Sequence, residues 1–442
     1  MRAGRVALRL YGAGVEAVTW LGLAPFEAGR ALVGRTPAGT LAARLGRTAP
    51  AGPPPSRPHL LVHAVSVGEV ATAGVLLQAL SRLFPGLSAV VSVGNRDGWN
   101  AAGRLRERLP AVSGVTYLPW DRPRALRRWL AGRGFDGVVV VETELWPGLF
   151  SACRALGLPL FLANARVYPR DLPRYRLARP LFAGALGAAT WIGAQSERER
   201  EAFLSLGARP ESVEVTGNLK LDATPSDRPL PPPWEEALSR RAPVLVAGST
   251  HPSEERPLLA AAARLRERFP GLLLVVAPRH PRRAGKVVEE ARREGLVPVL
   301  WSAPDPAARP DVLVVDEIGF LASLYSRAAV AFVGGSLVPK GGQNPVEPAA
   351  RGVPVVSGAD LSHFADVASA LEAAGALRRI RGEAPVEELE EALGAWLADP
   401  ASAREAGRAG RQALEALRGA ADRTARAVAA RVPSTPAVKS LP

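Results

Sequence analysis

Cysteine is nearly absent from this chain: Cys153 is the only one in 442 residues. A single thiol excludes an intrachain disulfide and any multi-cysteine metal site. Histidine is scarce too. His59, His63, His251, His280 and His363 show none of the HExxH spacing of a zinc hydrolase. Lysine is rarer still, with only Lys220, Lys286, Lys340 and Lys439 among 56 basic residues. A long uncharged apolar run is also missing. The stretch from Val6 to Val33 is broken by Arg9, Glu16, Glu27 and Arg30. Charge at mid-bilayer is costly, so this is a poor spanning helix. It has no convincing small-residue cleavage site after a clean apolar core, so a secretory signal is not expected.

What is present points to a folded enzyme-sized chain. Hydrophobic residues make up 47% and charged residues 22%, a globular balance that rules out disorder of the whole chain. The length suggests two large domains plus extras. The 43 glycines and 41 prolines are too many for an all-helical array and punctuate short loops. The net charge of +14 favours an anionic partner: nucleic acid, a phospholipid surface or a phosphorylated substrate. A nucleic-acid binder should show a concentrated basic–aromatic reading element, and none appears. The first 57 residues hold eight arginines and two glutamates, six of the fourteen net charges. With Tyr11, Trp20 and Phe26 they read as a basic interfacial helix on a membrane. The competing reading is a helix packed on the protein itself.

From His59 onward, short continuous apolar runs alternate with longer amphipathic stretches. The runs cover 59–65, 87–93, 137–142, 158–164 and 190–195, then 243–249, 272–278, 298–301, 311–316, 330–336 and 354–358. Such runs predict parallel sheets covered on both faces. A Pro-rich break at 222–233 separates the two series. The expected organisation is a membrane-associating segment and linker (1–57) and an N-terminal Rossmann-like domain (58–221). The linker (222–233), a C-terminal Rossmann-like domain with terminal helices (234–432) and a disordered tail (433–442) follow. Residues 385–431 read as helical. The fold class is α/β, with two doubly wound domains facing a cleft.

Ligands in such folds sit beyond the carboxyl ends of the strands. Ser66-Val67-Gly68-Glu69 follows the first run. A carboxylate in a first helical turn gains from the helix dipole and could act as a general base. Glu142-Thr143-Glu144 follows the third run. Two carboxylates there could orient a substrate or cap a helix. Asn164-Ala165-Arg166 opens an arginine-rich stretch suited to phosphate. Gly217-Asn218-Leu219-Lys220 brings a rare lysine to a turn, where it could neutralise a leaving phosphate. In the second half, Phe332-Val333-Gly334-Gly335-Ser336 leads to Gly341-Gly342-Gln343-Asn344-Pro345-Val346-Glu347. This reads as a glycine loop and a helix opening at Asn344, whose amides would hold an anion. Glu347 is placed to hold ribose hydroxyls. Arg279-His280 and Gly248-Ser249-Thr250-His251 follow strands of the same domain.

Nine motifs in order resemble one family. They are HAVSVGE (63–69), ETELWP (142–147), NAR (164–166), AQSERE (194–199), GNLKLD (217–222), GSTHPSEE (248–255), APRHPRR (277–283), FVGGSL (332–337) and GGQNPVEPAA (341–350). The chain resembles the Kdo (3-deoxy-D-manno-octulosonic acid) transferases, glycosyltransferases of GT-B type from lipopolysaccharide synthesis. The resemblance implies inverting transfer of Kdo from CMP-Kdo to a lipid A precursor of the lipid IVA type. It implies Glu69 as general base, with Glu142 and Lys220 stabilising the transition state. Arg279, His280, Ile318, Gly319, Phe320, Asn344, Pro345, Val346 and Glu347 would form the CMP site. Ser66, Gly68 and Arg166 would lie against the acceptor. No metal or other cofactor is implied. The place of action would be the cytoplasmic face of the inner membrane. Two positions depart from the pattern: Gln343 stands where the family usually has histidine, and Phe320 where an acidic residue is common. Another CMP-ulosonic acid donor or a different lipid acceptor is the alternative these leave open.

Overall fold

The computed structural model describes residues 2–32, 36, 39–48, 56–223, 228–305 and 309–433. Seven strands form a first sheet: β1 (His59–His63), β2 (Ser88–Val93), β3 (Val112–Tyr117), β4 (Gly137–Val141), β5 (Leu160–Ala165), β6 (Trp191–Ala194) and β7 (Val213–Val215). They are ordered β3-β2-β1-β4-β5-β6-β7 and every pair is parallel. Parallel neighbours need a crossover, usually a helix. Val67–Leu83 supplies it between β1 and β2, and Pro147–Leu156 between β4 and β5. β1 shows why its sequence is continuously apolar. Leu60 and Val62 pack on one face with Ala73 and Leu77, while Leu61 packs on the other with Trp129 and Leu149.

A second sheet contains β8 (Val244–Thr250), β9 (Leu273–Pro278), β10 (Pro298–Leu300), β11 (Val312–Val314), β12 (Val330–Val333), β13 (Val355–Ser357) and β14 (Leu377–Arg379). Its order is β10-β11-β9-β8-β12-β13-β14, again wholly parallel. In each sheet the strand order reverses once, beside β1 and β4 in the first and beside β8 and β12 in the second. A crevice for ligand opens beyond the strand ends at such a point.

All eleven apolar runs contain strands. No apolar run covers β3, β7 or β14. All three are edge strands with one neighbour each. β3 is half-buried over four of its six residues, and β14 carries two arginines. An edge does not demand continuous apolar residues.

The chain divides into two compact units, and the division corrects the expected boundaries. Residues through 223 and from 418 onward form the first unit, and 224–417 the second. The helix Ala420–Ala429 therefore does not belong to the C-terminal domain where the sequence placed it. Its Ala420, Ala421, Ala425 and Val428 are buried in the same core as Ala73 and Leu77 of Val67–Leu83. Asp222 fixes the crossing by accepting the backbone N–H groups of Gly419 and Ala421 at 2.7 and 2.6 Å. The N-terminal segment is likewise part of the first unit. Helix Arg2–Val18 packs against Arg179–Leu186 and Pro147–Leu156, then passes through a wide π-type turn (Thr19–Leu23) into helix Ala24–Leu32. Tyr11 ties it down by donating to Asp121 at 2.7 Å. Among the described residues no helix is long and apolar enough to cross a membrane. Residues 49–55 and 224–227 of the two expected linkers, and 434–442 of the expected tail, lie outside the described residues.

Candidate active site

In the first unit, chemistry gathers where β1 and β4 end. Ser66 caps helix Val67–Leu83. Its Oγ accepts the Glu69 N–H at 3.4 Å and donates to Glu69 Oε1 at 3.0 Å. The Val65 N–H donates to Glu69 Oε2 at 2.6 Å. This reciprocal cap satisfies helix-end groups and anchors both carboxylate oxygens. Burial raises the Glu69 pKa and the nearby Glu142 charge adds to it, while the Val65 and Ser66 hydrogen bonds and Lys220 oppose the rise.

Glu142 follows β4 in a left-handed backbone conformation, φ +65°. That is unfavourable for a residue with a Cβ and persists only where surroundings enforce it. Here Lys220 Nζ lies 2.7 Å from Glu142 Oε1, with the glutamate 7% and the lysine 35% exposed. The turn bearing Lys220 is itself held by Asn164, a buried left-handed residue (φ +57°) at the end of β5. Its Oδ1 accepts the Leu219 N–H at 2.9 Å. The structure therefore brings Glu69, Glu142 and Lys220 together.

Two further residues belong to this setting. The sequence read Glu144 with Glu142 as a pair able to orient a substrate or cap a helix, and in the structure burial together with the Glu69 and Glu142 charges pushes the Glu144 pKa up to about 7. Asn164 was legible only as part of the NAR motif, because its role depends on a backbone conformation. Arg166 is buried and its guanidinium lies 4.2 Å over the Tyr168 ring. Gly68 is exposed, and a Cβ there would meet no protein atom, so only a bound molecule could require its smallness.

In the second unit, Arg279, Ile318, Gly319, Asn344 and Glu347 line one cavity of about 240 Å³ with Gly248, Ser249 and Gln343. Asn344 Nδ2 donates to Glu347 Oε1 at 3.2 Å, and Asn344 Oδ1 accepts the Val346 N–H at 3.1 Å. Burial raises the Glu347 pKa, against the Asn344 hydrogen bond and Arg351. Gln343 Nε2 lies 3.2 Å from His251 Nε2. His280, Pro345 and Val346 are not among the cavity's walls, and His280 is exposed.

Phe320 does not join the others. It is buried against Trp301, ring centres 4.9 Å apart, with the Arg228 guanidinium 4.0 Å over it. It is a core aromatic whose neighbours happen to line the cavity.

The glycine loop also differs from expectation. The helix after it is one turn, Val346–Ala349, too short for a helix-end anion site. The loop amides are already engaged. Glu254, fully buried, accepts Gly335 N–H at 2.7 Å, Ser336 N–H at 3.0 Å, Leu337 N–H at 2.9 Å and His251 N–H at 2.8 Å. The glycines serve close approach instead: a Cβ on Gly334 would lie 2.5 Å from the Ser249 carbonyl oxygen.

Comparison with known proteins fits this arrangement. Residues 39–223 match the sequence profile of the 3-deoxy-D-manno-octulosonic-acid transferase (kdotransferase) family. The chain is 31% identical over 382 residues to the 3-deoxy-D-manno-octulosonic acid transferase of Haemophilus influenzae, spanning 84% of this chain and 86% of that one. The chain belongs to the 3-deoxy-D-manno-octulosonic acid transferase family. This transferase is also 33% identical over 346 residues to the Bordetella pertussis 3-deoxy-D-manno-octulosonic acid transferase, covering 76% of this chain and 79% of the relative. Among solved structures, a putative UDP-N-acetylglucosamine 2-epimerase from Listeria monocytogenes superposes with TM-score 0.60 at 14% identity, over 85% of this chain and 95% of that one. The kitacinnamycin glycotransferase does so with TM-score 0.53 at 15% identity, over 85% of this chain and all of its own. Those two likenesses concern the fold alone. The transferase is a glycosyltransferase with two Rossmann-like units.

Proposed function

We propose that the transferase moves Kdo from CMP-Kdo to a hydroxyl of a phosphorylated lipid A precursor of the lipid IVA type, inverting the anomeric centre. The carrying observation is Glu69: a carboxylate anchored through both oxygens beyond a strand end, with a raised pKa, in company with the Glu142–Lys220 pair. In this reading Glu69 takes the proton of the acceptor hydroxyl. The hydroxyl oxygen forms its bond to the anomeric carbon as the bond from that carbon to the CMP phosphate breaks, and CMP leaves. Lys220, held by Glu142, offsets developing negative charge. The second unit's cavity supports a nucleotide, with Glu347 and Asn344 on the ribose and Arg279 on the phosphate. Because Glu254 occupies the loop amides, neutralising the leaving phosphate falls to such cationic side chains, and no metal is invoked.

Action at a membrane surface is part of the proposal. Leu10, Trp20, Leu21, Phe26 and Leu32 are 45–88% exposed in the basic N-terminal helices. Apolar and aromatic side chains beside arginines suit an interfacial position. This supports a peripheral enzyme on the cytoplasmic face of the inner membrane. Gln343 in the donor cavity, where the family usually has histidine, favours one second reading: a related CMP-ulosonic acid as donor.

The test is incubation with CMP-Kdo generated in situ and a tetraacylated lipid A precursor, following lipid mass. The expected result is one or more added Kdo masses, lost in Glu69→Gln while the fold and CMP binding persist. Substantial turnover by Glu69→Gln would remove Glu69 as the base. Absence of product with CMP bound would favour the second reading.

A further inference from the structure

The mechanism leaves a large cavity of the first unit unused. It has a volume of about 600 Å³ and mostly apolar walls, with Gly14, Val15, Val18 and Leu23 of the N-terminal segment on one side and Val65, Leu118 and Trp146 on the other. Pockets of about 300–1,000 Å³ hold small molecules or drug-sized ligands. Of the polar groups at its wall, Arg44 donates to the carbonyls of Leu118 and Gly94, while His63 Nε2 and Trp146 Nε1 are buried without a hydrogen-bond partner among the described residues. Asp121 accepts Tyr11 and the amides of Gly148 and Leu149. Burial lowers the His63 pKa to about 4, so the ring carries no charge near neutrality.

Three observations fix what would enter. First, the rim continues outward as apolar surface. Val18 and Leu23, which line the cavity, are 58% and 38% exposed, and Leu21 between them is 85% exposed. Second, a polar cavity of about 390 Å³ lies along the same segments. Trp20 is two residues beyond Val18, Leu45 follows Arg44 and Arg122 follows Asp121, so its walls interleave in sequence with those of the first. Arg47, Arg122, Arg128 and Arg133 line it. Arg122 pairs with Glu16 at 2.8 Å. Arg47 and Arg128 have no carboxylate partner among the described residues. Third, Val65, a wall residue of the apolar cavity, donates its N–H to Glu69. A chain held there would keep its head group near the base.

We infer that the apolar cavity takes an acyl chain of the acceptor lipid, and that the neighbouring arginines receive a phosphate of the same molecule. The inference rests on the proposed acceptor being an acylated, phosphorylated sugar, and it names how that acceptor is held. Apolar burial gives the chain its affinity, and guanidinium groups suit phosphate geometry.

Gly14 provides the test. Gly14 lines the cavity and a Cβ there meets nothing within 4 Å, so a side chain can leave the helix at this position, and Gly14→Phe is the variant that occupies the cavity. KM is measured with a tetraacylated phosphorylated acceptor and with its fully deacylated, water-soluble counterpart. The expected result is a rise of at least tenfold in the ratio of the two KM values for Gly14→Phe. Val15→Trp, which fills the same space from the adjoining residue, should act alike, with thermal melting confirming that both fold. Arg47→Ala combined with Arg128→Ala should raise KM for the phosphorylated acceptor more than for its dephosphorylated form. An unchanged ratio in both folded cavity variants overturns the inference. So does a loss of binding to phosphatidylglycerol vesicles without a KM change, which would make a bilayer phospholipid the occupant. If the wild type transfers to neither acceptor, the functional reading fails by itself. The cavity is then judged by cis-parinaric acid fluorescence: enhancement in the wild type that Gly14→Phe abolishes keeps an acyl site, and its absence overturns one.

Discussion

Replacing Glu254 by glutamine tests the finding that a protein carboxylate, not a ligand, organises the glycine loop. The carboxylate accepts four backbone N–H groups, two on each oxygen, from His251, Gly335, Ser336 and Leu337. Glutamine keeps one acceptor oxygen and turns an NH₂ group toward the other two donors. Each buried donor left without a partner costs about 1–3 kcal/mol. Two such donors give about 2–6 kcal/mol, against a total stability of about 5–15 kcal/mol for a typical protein. Urea unfolding, read through second-unit Trp234 and Trp301, should show a midpoint lowered accordingly at unchanged slope. Calorimetry should show weaker CMP binding, because the loop leads directly to Gln343 and Asn344 in the cavity. A midpoint shift worth under about 1 kcal/mol, with CMP affinity intact, would refute the reasoning and return the loop amides to the role of an open anion cradle.

Three further outcomes are expected. The Glu69 pKa is raised above its ordinary 4.5 by burial, and a base acts deprotonated. The acid limb of the kcat/KM profile should therefore bend above the ordinary carboxylate range, and a bend at or below that range contradicts the assignment. Glu144 has a folded pKa of about 7 against 4.5 for the unfolded chain. Its contribution to stability is present below pH 4.5 and lost as pH rises through 7, about 3–4 kcal/mol at about 1.4 kcal/mol per unit. Glu144→Gln should accordingly gain stability relative to wild type at pH 8 and not at pH 4, measured by denaturant melts at both. Phe320→Ala should cost about 3–5 kcal/mol as a core truncation. Its CMP affinity, measured well below the melting temperature, should stay within a few-fold of wild type. A large affinity loss at near-native stability would restore Phe320 to the ligand site.

Much of the fold was legible because buried parallel strands leave a blunt trace in sequence. GVVVV at β4 must be apolar on both faces and reads unambiguously. β3, β7 and β14 carry no such run because an edge relaxes that demand. Within the site, Glu69 could be read because Ser66 and Glu69 form a local cap, three residues apart. Asn164 could not, since its function lies in a left-handed backbone and a bond to residue 219. Glu254 was hidden for a related reason. Three of its four partners lie more than eighty residues away, and the glycine loop alone looks like a place for an anion. Phe320 was misplaced because adjacency to Ile318 and Gly319 says nothing about which way a side chain points. The return of Ala420–Ala429 to the first unit was equally invisible, as a short alanine-rich helix has no sequence address.

That return sets an order on biosynthesis. The residues of the second unit are contiguous in the chain, so its sheet can close as soon as they have been made. The core of the first unit must wait, although its strands emerge from the ribosome earlier. The groove along Val67–Leu83, the helix that carries Glu69, is filled only when the last helix has been synthesised. A nascent or truncated transferase ending near residue 417 thus has a finished second unit and, in the first unit, an exposed apolar seam along Val67–Leu83. The helix Ala420–Ala429 completes the core of the first unit only after the whole of the second unit has been made.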